Sequence, residues 1–474
     1  AIFDPELRAS MFSRQNEIST PAFYQVMLEQ YNAEVKSTAG QHAGILQFKF
    51  AEAGTKHILI EPNSDEGEAS IKIMDNAIAG SNPVHRIYQG WGEYAGFDGH
   101  FYLQFDKPWQ EVFIEKHPLE IGEKLVAFAV FEVNAGETIT MKVGHSFTSI
   151  TGAKENLAQE IPDFDFEKVK QGTENKWQEK LGQIAVVGGD NDDKAMFYTA
   201  LYHAKMLPRV FNDANGEYPE FAGNANILNA EGDNYYVDFT TWDTYRAVHP
   251  LMTILEPDRA ADVLKSIVNK AEQGEWLPIF PCWNHYTAGM IGDHLVSVIG
   301  DAYLKNIDNF PIEKAYRYMR KNAFETPSTI QEYQDGKGRR ALKSYLQYGY
   351  LPLEDSVKDA FHKYVVDGKD VVNPDNVGTK FAAHYTLELA GGETTGIQLR
   401  LCDRPDLATP FGQEFNDIFQ IRQQEADEFY QRVSPYEKSL ELQNIERQAF
   451  AGMLWNKQYY HYVVDAWLRG DPSQ

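Results

Sequence analysis

The sequence has few basic residues and almost no cysteine. Its 474 residues include 44 Lys and Arg against 69 Asp and Glu, which gives a formal net charge of −25 at pH 7. Because nucleic-acid binding depends on clustered Lys and Arg, this balance argues against a nucleic-acid partner. Cys282 and Cys402 form a single distant pair, from which neither a zinc site nor a disulfide framework can be inferred.

Long hydrophobic runs and targeting signals are also missing. No run approaches the roughly 18 apolar residues of a membrane-spanning helix, so no membrane span is expected. The chain begins with AIFDPELRAS, which lacks the basic and apolar regions of a signal peptide, so such a peptide was either removed or never present. The sequence contains neither the Gly-x-Ser-x-Gly elbow of serine hydrolases nor a Gly-rich phosphate-binding loop, which argues against both chemistries.

Aromatic residues, by contrast, are abundant. The chain has 28 Phe, 26 Tyr and 8 Trp, and aromatic residues make up 13% of it. This richness is typical of protein cores and also of sugar-binding clefts. The hydrophobic content of 43% is ordinary for a globular protein and sufficient for a sizeable core. The composition therefore favours a carbohydrate partner over a nucleic acid.

Hydrophobic periodicity divides the chain into regions of different structure. From about residue 32 to residue 149, short stretches such as KHILIEP, HFYLQF and TITMKVGHSF alternate apolar and polar residues between turn-forming clusters. This pattern predicts an antiparallel β-sandwich. From about residue 163 the period changes to 3.6, and a series of helical stretches predicts either the stacked α-hairpins of an α/α toroid or a simple bundle.

These patterns predict a multidomain β + α fold in which an N-terminal antiparallel β-sandwich precedes an α/α-toroid-like helical domain. The expected boundaries are residues 1–160 for the sandwich, 161–363 for the helical region, 364–405 for a β-hairpin segment and 406–474 for C-terminal helices. The hairpin is predicted because two strand-like stretches flank the turn AGGET. The acidic cluster from Asp190 to Asp193 is predicted to be a solvated helix start.

Several motifs occur in the order that is found in one enzyme family. They are WDTYRAVHP (Trp242, Asp243, Thr244, Arg246, His249 and Pro250), WLP (Trp276 to Pro278) and MIGDH (Met290 to His294), with NEISTPAFYQVML upstream and GRRALKSYLQYGYLPLEDSVKDAFHK downstream. On these residues, the part from about 10 to 362 closely resembles glycoside hydrolase family 92, the calcium-dependent exo-acting α-mannosidases. The resemblance implies a periplasmic or extracellular enzyme that uses calcium and releases terminal mannose, with inversion, from a mannoside or an N-glycan-type oligosaccharide.

Two features of that family are missing from the sequence. The family's sandwich begins with a His-, Pro- and Gly-rich strand segment, which is not found here. Also missing are the later motifs that carry the general acid, the general base and most calcium ligands. The helical domain is therefore expected to be incomplete, and the catalytic and metal-binding residues are not assigned. A non-catalytic carbohydrate-binding or structural fragment is the alternative function.

The residues from about 370 to 474 resemble a different family. The segments NVGTKFAAHYTLELAGGETTGIQLRL and ERQAFAGMLWNKQYYHYVVDAWLRGDP look like parts of the glucosidase-like proteins related to glycoside hydrolase family 63. This second resemblance implies an α-glucosidase as a further alternative.

The WDTYR motif supplies the first candidate site residues. The family resemblance implies that Asp243 is a sugar-binding carboxylate in the subsite for terminal mannose, whereas the residues alone also fit a helix cap. Trp242 is predicted either to stack on a sugar or to lie in the core. Arg246 either contacts substrate or forms a salt bridge with Asp243, three residues earlier on the same helix face. His249 is predicted to be structural.

A loop before the helix GDHLVSVIGDAYL supplies the other candidates. The run from Trp283 to Tyr286 combines aromatic rings with hydrogen-bonding groups, as a sugar subsite requires. Asp293 and His294 either line the mouth of the toroid or, in the case of Asp293, cap the helix. The full set of predicted substrate-binding residues is Trp242, Asp243, Arg246, Trp283, Asn284, Asp293 and His294.

Overall fold

A computed structural model of the chain describes residues 5–62, 69–87, 92–118, 123–224, 226–290, 292–340, 342–348, 360–366, 368–370, 383–403, 407–434 and 439–455. These residues belong to two compact units, Ala1–Val372 and Asn373–Gln474. The first unit contains a β-domain and a helical region.

In the described part of the chain up to Ser146, eleven antiparallel strands form two sheets. They are β1 (Ile18–Ser19), β2 (Tyr24–Leu28), β3 (Ala33–Ala39), β4 (Ala43–Phe50), β5 (Gly54–Ile60), β6 (Ser70–Met74), β7 (Ala77–His85), β8 (Tyr94–Phe105), β9 (Glu111–Pro118), β10 (Glu123–Val133) and β11 (Thr138–Ser146). The larger sheet has the order β1-β2-β3-β4-β11-β8-β7-β6, and the smaller one has the order β5-β10-β9.

Apolar side chains from both sheets form one hydrophobic core. Ile78 and Leu103 belong to the larger sheet and Phe131 to the smaller one, and all three are buried in the same cluster. Residues i and i+2 of a strand share a face, so the alternating sequence pattern places one apolar row on the inside of each sheet. The predicted antiparallel β-domain is confirmed.

Two helices cover the other face of the larger sheet, namely α1 (Ile150–Glu160) and α2 (Phe166–Leu181). Ser149 caps the first of them, because its Oγ accepts a hydrogen bond from Gly152 N at 2.9 Å. Gly144 in β11 allows the helix to approach closely, since a Cβ atom at that position would lie 2.1 Å from the carbonyl oxygen of Ala153.

A buried carboxylate joins the sandwich to the helical region. Asp213 Oδ2 accepts a hydrogen bond from Ser146 Oγ at 2.7 Å, and Asp213 Oδ1 accepts one from Asn156 Nδ2 at 2.9 Å. Beside it, His42 Nε2 lies 2.8 Å from the carbonyl oxygen of Asn212. Groups from β11, α1, the segment 212–213 and His42, which immediately precedes β4, therefore meet at one polar joint.

The helical region alternates helices with short strands. Its helices are α3 (Asn191–Met206), α4 (Thr241–Thr244), α5 (Val248–Leu255), α6 (Pro257–Gly274), α7 (His294–Leu304), α8 (Ile312–Phe324), α9 (Ile330–Gln334), α10 (Leu342–Tyr348) and α11 (Ala360–Val365). Its strands are β12 (Arg209–Val210), β13 (Glu217–Pro219), β14 (Ile227–Asn229) and β15 (Tyr236–Val237), and they pair as β12 with β15 and β13 with β14. A short helix (Pro5–Arg8) precedes the sandwich.

Helix α6 is central to the helical region. Its residues Leu264 and Ile267 pack in one apolar cluster with Leu295 and Val298 of α7 and Ala315 of α8. Pro257 occupies the first turn of α6, where a missing backbone N–H costs nothing. An antiparallel β-domain followed by a helical domain is the architecture that the sequence predicted, and it is confirmed. None of the helices in the described residues is long and apolar enough to cross a membrane.

The acidic cluster at the start of α3 forms the predicted helix cap. Asp190 Oδ1 accepts hydrogen bonds from the backbone N–H groups of Asp192 and Asp193, both at 2.9 Å. The Asp193 carboxylate in turn accepts a hydrogen bond from Asp190 N, which completes a capping box.

The second unit contains α12 (Gln413–Val433) and α13 (Leu440–Trp455), which are connected by an ion pair between Asp427 and Arg447. The β-hairpin predicted over 364–405 is not formed by the described residues 383–403, which contain a turn at 391–392 but no strand. Residues 371–382 and 456–474, which carry much of the resemblance to family 63, lie outside the described residues.

Candidate functional site

Helix α4 and the 275–293 loop form the candidate site. Thr241, the first residue of α4, is buried, and its Oγ1 donates a hydrogen bond to the carbonyl oxygen of Ile279 at 3.0 Å. Just upstream, Phe239 N donates to the carbonyl oxygen of Pro281 at 3.2 Å. These two bonds attach the WDTYR motif to the loop that carries the other predicted site residues.

Trp242 and Asp243 both project from α4 into solvent. The side chain of Trp242 is 42% exposed, so the prediction that places it in the core is wrong. Asp243 is also exposed, and its carboxylate makes no hydrogen bond or ion pair with any residue that the structure describes. It therefore does not act as the helix cap, and both side chains remain available to a ligand.

Arg246 packs on its neighbour and does not pair with Asp243. Its guanidinium lies 4.7 Å from the ring centroid of Tyr245, a cation–π contact. The predicted salt bridge between Arg246 and Asp243 is not formed in the described structure, because α4 ends at Thr244 and Arg246 is no longer on the same helix.

His294 and Asp293 stand at the start of α7. The imidazole of His294 stacks on the ring of Tyr245, which connects α7 to the end of α4. Asp293 occupies the N-cap position of α7, as predicted, but its side chain makes no hydrogen bond to the backbone of the helix. The prediction that its carboxylate caps the helix is therefore wrong. Instead, Asp293 Oδ1 accepts from Asn322 Nδ2 at 3.4 Å, and Oδ2 lies 3.7 Å from Arg339 Nε.

The side chain of Asp293 is largely shielded from solvent. Its side chain is 12% exposed, and burial raises the pKa of its carboxyl above the usual range, although Arg339 and the hydrogen bond from Asn322 partly oppose this rise. Asn322 is itself fixed, since its amide accepts from Leu277 N at 3.2 Å and donates to Leu277 O at 3.1 Å. Asn322 of α8, itself bonded to Leu277 of the loop, thus holds the Asp293 carboxylate in place.

The centre of the loop is a tight turn at Trp283 and Asn284. Cys282 N donates to His285 O at 3.2 Å, and His285 N donates to Cys282 O at 3.1 Å, so the two residues between them form the tip. Trp283 has φ +48° and Asn284 has φ +51°, which is the left-handed region for both. Two-residue turns of this kind usually contain glycine, so this one requires support from its surroundings.

Asn284 faces the protein interior, which corrects its predicted contact with substrate. It is 1% exposed, and its Oδ1 accepts from Tyr235 Oη at 2.9 Å and from Lys270 Nζ at 3.1 Å. Its Nδ2 donates to the carbonyl oxygen of Pro219 at 2.8 Å. With these bonds made and no solvent access, the side chain of Asn284 supports the turn and does not bind a sugar.

Trp283 is held by a cluster that the sequence did not single out. Its backbone N–H donates to Asp238 Oδ1 at 3.1 Å, while Arg209 Nε donates to Asp238 Oδ2 at 2.7 Å. The Arg209 guanidinium lies 5.0 Å from the centroid of the Trp283 ring. Burial and the Asp238 charge raise the pKa of the Cys282 thiol to about 12, so this thiol is not an activated nucleophile.

Unusual backbone conformations are concentrated in this part of the protein. Nine described non-glycine residues have positive φ. Six of them lie in the 275–293 loop or donate hydrogen bonds to it or accept them from it, namely Ala222, Asp238, Glu275, Trp283, Asn284 and Met290. Such conformations cost of order 1–3 kcal/mol each and cluster at functional sites. This concentration supports a functional role for the loop independently of any motif.

His249 is buried, as predicted for a structural residue, and burial, with the Arg259 charge, lowers its pKa to about 4, so it is neutral near pH 7. Among the residues that the structure describes, no group of three or more His, Cys, Asp or Glu side chains is arranged to hold a metal ion. Calcium in proteins takes six to eight oxygen ligands, which include backbone and amide carbonyl oxygens as well as carboxylates.

Comparison with known families identifies both domains. Residues 3–146 match the glycosyl hydrolase family 92 N-terminal domain, and residues 152–368 match the glycosyl hydrolase family 92 catalytic domain. The chain belongs to glycosyl hydrolase family 92. The two family 92 domains meet between residues 146 and 152, close to the end of the sandwich at Ser146.

Solved family 92 enzymes share the fold. The family GH92 α-mannosidase BT3965 from Bacteroides thetaiotaomicron superposes with a TM-score of 0.64 at 28% identity, covering 73% of this chain and 47% of its own. The family GH92 inverting mannosidase BT2199 from the same organism gives a TM-score of 0.65 at 26% identity, with the same coverage. The chain therefore spans about half the length of these solved relatives.

Curated relatives cover less of the chain. An uncharacterized secreted glycosidase of Arthroderma benhamiae is 30% identical over 230 residues, which is 47% of this chain and 24% of that protein. The uncharacterized protein YMR196W of Saccharomyces cerevisiae is 44% identical over 126 residues, 24% of this chain and 12% of that protein. The chain thus spans a quarter or less of these relatives. Its resemblance to family 63 stays a prediction.

Proposed function

We propose that the chain is an exo-acting α-mannosidase that binds terminal mannose of a mannoside or N-glycan-type oligosaccharide and releases it with inversion and calcium assistance. The observation that carries this proposal is the exposed Asp243 carboxylate, which has no partner among the described residues and lies beside the exposed Trp242 on a helix fixed to the strained loop. The likeness of the chain to family 92 mannosidases supports mannose as the sugar.

The two side chains of α4 suit the two surfaces of a pyranose. The Asp243 carboxylate accepts hydrogen bonds from adjacent sugar hydroxyls, and each bond to a charged acceptor contributes about 1.5–3 kcal/mol. The indole of Trp242 offers an apolar face for the C–H groups of the ring. Because Asp243 has no described protein partner, a sugar hydroxyl does not have to displace an existing ion pair.

The other predicted contacts lie at the start of α7, just after α4 and in the 275–293 loop. Asp293 supplies a second, more buried carboxylate at the start of α7, and Arg246 and His294, which both contact the ring of Tyr245, supply hydrogen-bond donors. The ring of Trp283 is half-buried beneath Arg209, so this pair presents a guanidinium as well as an aromatic edge. Each of these residues is assigned to substrate binding, not to proton transfer.

The chemical step requires groups other than these sugar-binding residues. Inverting hydrolysis needs two carboxyl groups about 6.5–9.5 Å apart, one as general acid and one as general base for water. Calcium assistance is proposed on the family resemblance alone.

The direct test is hydrolysis of an α-1,2-linked mannobiose. The chain is incubated with the disaccharide, with and without a calcium chelator, and the released mannose is measured. Release that the chelator abolishes, with β-mannose as the first anomer seen by NMR, is the expected result. The α-anomer as first product would contradict inversion, and chelator-resistant release would contradict calcium assistance.

A non-catalytic carbohydrate-binding fragment is the second candidate, because the family motifs that carry the general acid, the general base and most calcium ligands are not found in this sequence. Mannose binding by calorimetry together with no hydrolysis at any calcium concentration would establish this candidate and exclude the enzyme. A periplasmic or extracellular location is proposed with either function, since one relative is described as a secreted glycosidase.

A further inference from the structure

Lys270 is a fully buried lysine in the core of the helical region. It lies on α6 with 0% exposure, among apolar neighbours such as Ile267 and Ala271. Three aromatic rings surround its ammonium group. The distances from Nζ to the ring centroids are 3.7 Å for Tyr235, 5.4 Å for Phe221 and 5.6 Å for Phe239.

Stability alone does not explain a lysine at this position. Removing an ammonium group from water is costly, and within the described chain no carboxylate forms an ion pair with Lys270. Burial lowers the pKa of its amine well below the usual range. The aromatic rings offset part of this desolvation cost. A long apolar side chain, however, would fill the same space with no ammonium group to desolvate.

The polar contact of Lys270 leads to the strained turn. Nζ donates a hydrogen bond to Asn284 Oδ1 at 3.1 Å, and Tyr235 Oη donates to the same oxygen at 2.9 Å. Asn284 is thereby fixed in a left-handed conformation that costs energy without such support.

The Trp283–Asn284 turn positions the exposed part of the site. Trp283 N donates to Asp238, and the segment after Asp238 is bonded to the loop at Phe239 and Thr241. Thr241 is followed directly by Trp242 and Asp243 on α4. A shift of the turn therefore reaches both the Trp283–Arg209 pair and the two proposed sugar-binding side chains.

We propose that Lys270 is a positioning residue, which holds the Trp283–Asn284 turn in its binding conformation through the Asn284 side chain. The effect on mannoside binding rests on the proposed function, whereas the effect on the turn does not. Lys270 touches no substrate, because it has no solvent-exposed surface.

The test compares two variants of the same helix in the full chain. Lys270→Met keeps the length and apolar stem of the side chain but removes the donor. Lys265→Met is the matched control, since Lys265 forms surface contacts with Asp233 and Asp262 and none with the turn. Hydrogen exchange is measured by mass spectrometry on peptides that span 219–224 and 281–287, and thermal unfolding is recorded for both variants.

For Lys270→Met we expect a melting temperature at or above that of the unmodified chain, with exchange at least ten-fold faster in these two peptides and unchanged in the sandwich. Lys265→Met should leave both peptides unchanged. If exchange stays the same in Lys270→Met, or if the variant fails to fold, the proposal is overturned, because the lysine is then either dispensable to the turn or required for stability. Tyr235→Phe, which removes the second donor to Asn284 Oδ1, should give the same local pattern as Lys270→Met.

The substrate arm separates this proposal from the proposed function. With mannobiose, Lys270→Met should raise KM several-fold with little change in kcat, the split expected when binding geometry is lost but the chemistry is intact. An equal loss in kcat at unchanged KM would contradict positioning of the binding residues. If the unmodified chain neither binds nor cleaves mannosides, the proposed function fails, while the exchange result still decides the role of Lys270.

Discussion

The ring of Tyr245 stacks on the imidazole of His294, with the ring centroids 4.4 Å apart and the planes at 11°. Tyr245 follows the last residue of α4, and His294 is the first residue of α7. The two motifs that are separated by some fifty residues in the sequence, WDTYR and MIGDH, are therefore in direct contact through these rings. This contact brings the element that carries Asp243 next to the helix that begins after Asp293.

Replacing Tyr245 should weaken sugar binding more than it weakens folding. A stacked pair contributes about 0.5–1.5 kcal/mol, so Tyr245→Leu should reduce mannose affinity several-fold by releasing α4 from α7. Tyr245→Phe keeps the ring and should bind like the unmodified chain. Titration calorimetry with mannose checks this, and equal affinities for Leu and Phe at this position would show that the stack does not orient the site.

Asp243→Asn should abolish most sugar binding without destabilising the protein. Loss of a charged acceptor costs about 1.5–3 kcal/mol per hydrogen bond, which corresponds to an affinity at least ten-fold lower. The carboxylate is exposed and has no described partner, so the free energy of unfolding should change by less than about 0.5 kcal/mol. Asp75→Asn, at an exposed turn of the sandwich, is the control and should leave affinity unchanged.

Gly274→Ala should disrupt the start of the loop. An added Cβ would lie 2.4 Å from Tyr286 Oη, and this hydroxyl is fixed by hydrogen bonds with Gly274 O and Trp276 O. Overpacking of this kind costs about 1–3 kcal/mol. Gly172→Ala in α2 is the matched control, because its added Cβ would meet no atom within 4 Å beyond its chain neighbours and the local helix backbone, and it should stabilise the chain by up to about 1 kcal/mol. Urea unfolding of both variants measures the difference.

Acid should destabilise the packing of α2, α3 and α6 through Glu256. Its carboxylate accepts hydrogen bonds from Lys180 and Lys205 and lies 3.3 Å from Arg259. Burial opposes ionisation, but these cationic partners outweigh it and lower the pKa of Glu256 to about 2. A depressed carboxyl pKa contributes stability that is fully present above about pH 4.5 and is lost as the pH falls towards 2.

Glu256→Gln tests this contribution. The variant leaves the buried Lys205 ammonium group without its carboxylate, so it should lose about 3–5 kcal/mol at pH 7. Its stability should also fall less steeply than that of the unmodified chain between pH 4.5 and 2. Parallel pH profiles for the two proteins would mean that another group is responsible for the acid sensitivity.

Sequence patterns predicted the parts of the fold that depend on local rules. The alternation in HFYLQF and TITMKVGHSF gave β8 and β11 because a strand with one buried face needs apolar residues at every second position. Asp190 was recognisable as the start of α3 because N-terminal capping uses only the nearest backbone groups. In both cases the information lies within a few residues.

The parts that failed depend on distant partners. The segment on either side of AGGET has the alternation of a hairpin, yet residues 383–403 form only the turn, since an isolated hairpin is marginally stable without further strands or packing. Asn284 was expected to face solvent, but Tyr235, Lys270 and Pro219 come from 14 to 65 residues away to bind it. Asp238 and Arg209 were missed because their roles also depend on distant partners and because neither stands in a recognisable motif.

The buried Asp213 carboxylate determines where the chain can be cut into stable fragments. Its two oxygens are satisfied by Ser146 and Asn156, so a cut between residues 160 and 212 would leave the two pieces with unpaired polar groups on matching surfaces. A sandwich fragment that ends at residue 146 would lose Asn156, and a helical fragment that starts at 152 would lose Ser146. The two family 92 domains are separable in sequence but should melt together in a single cooperative transition.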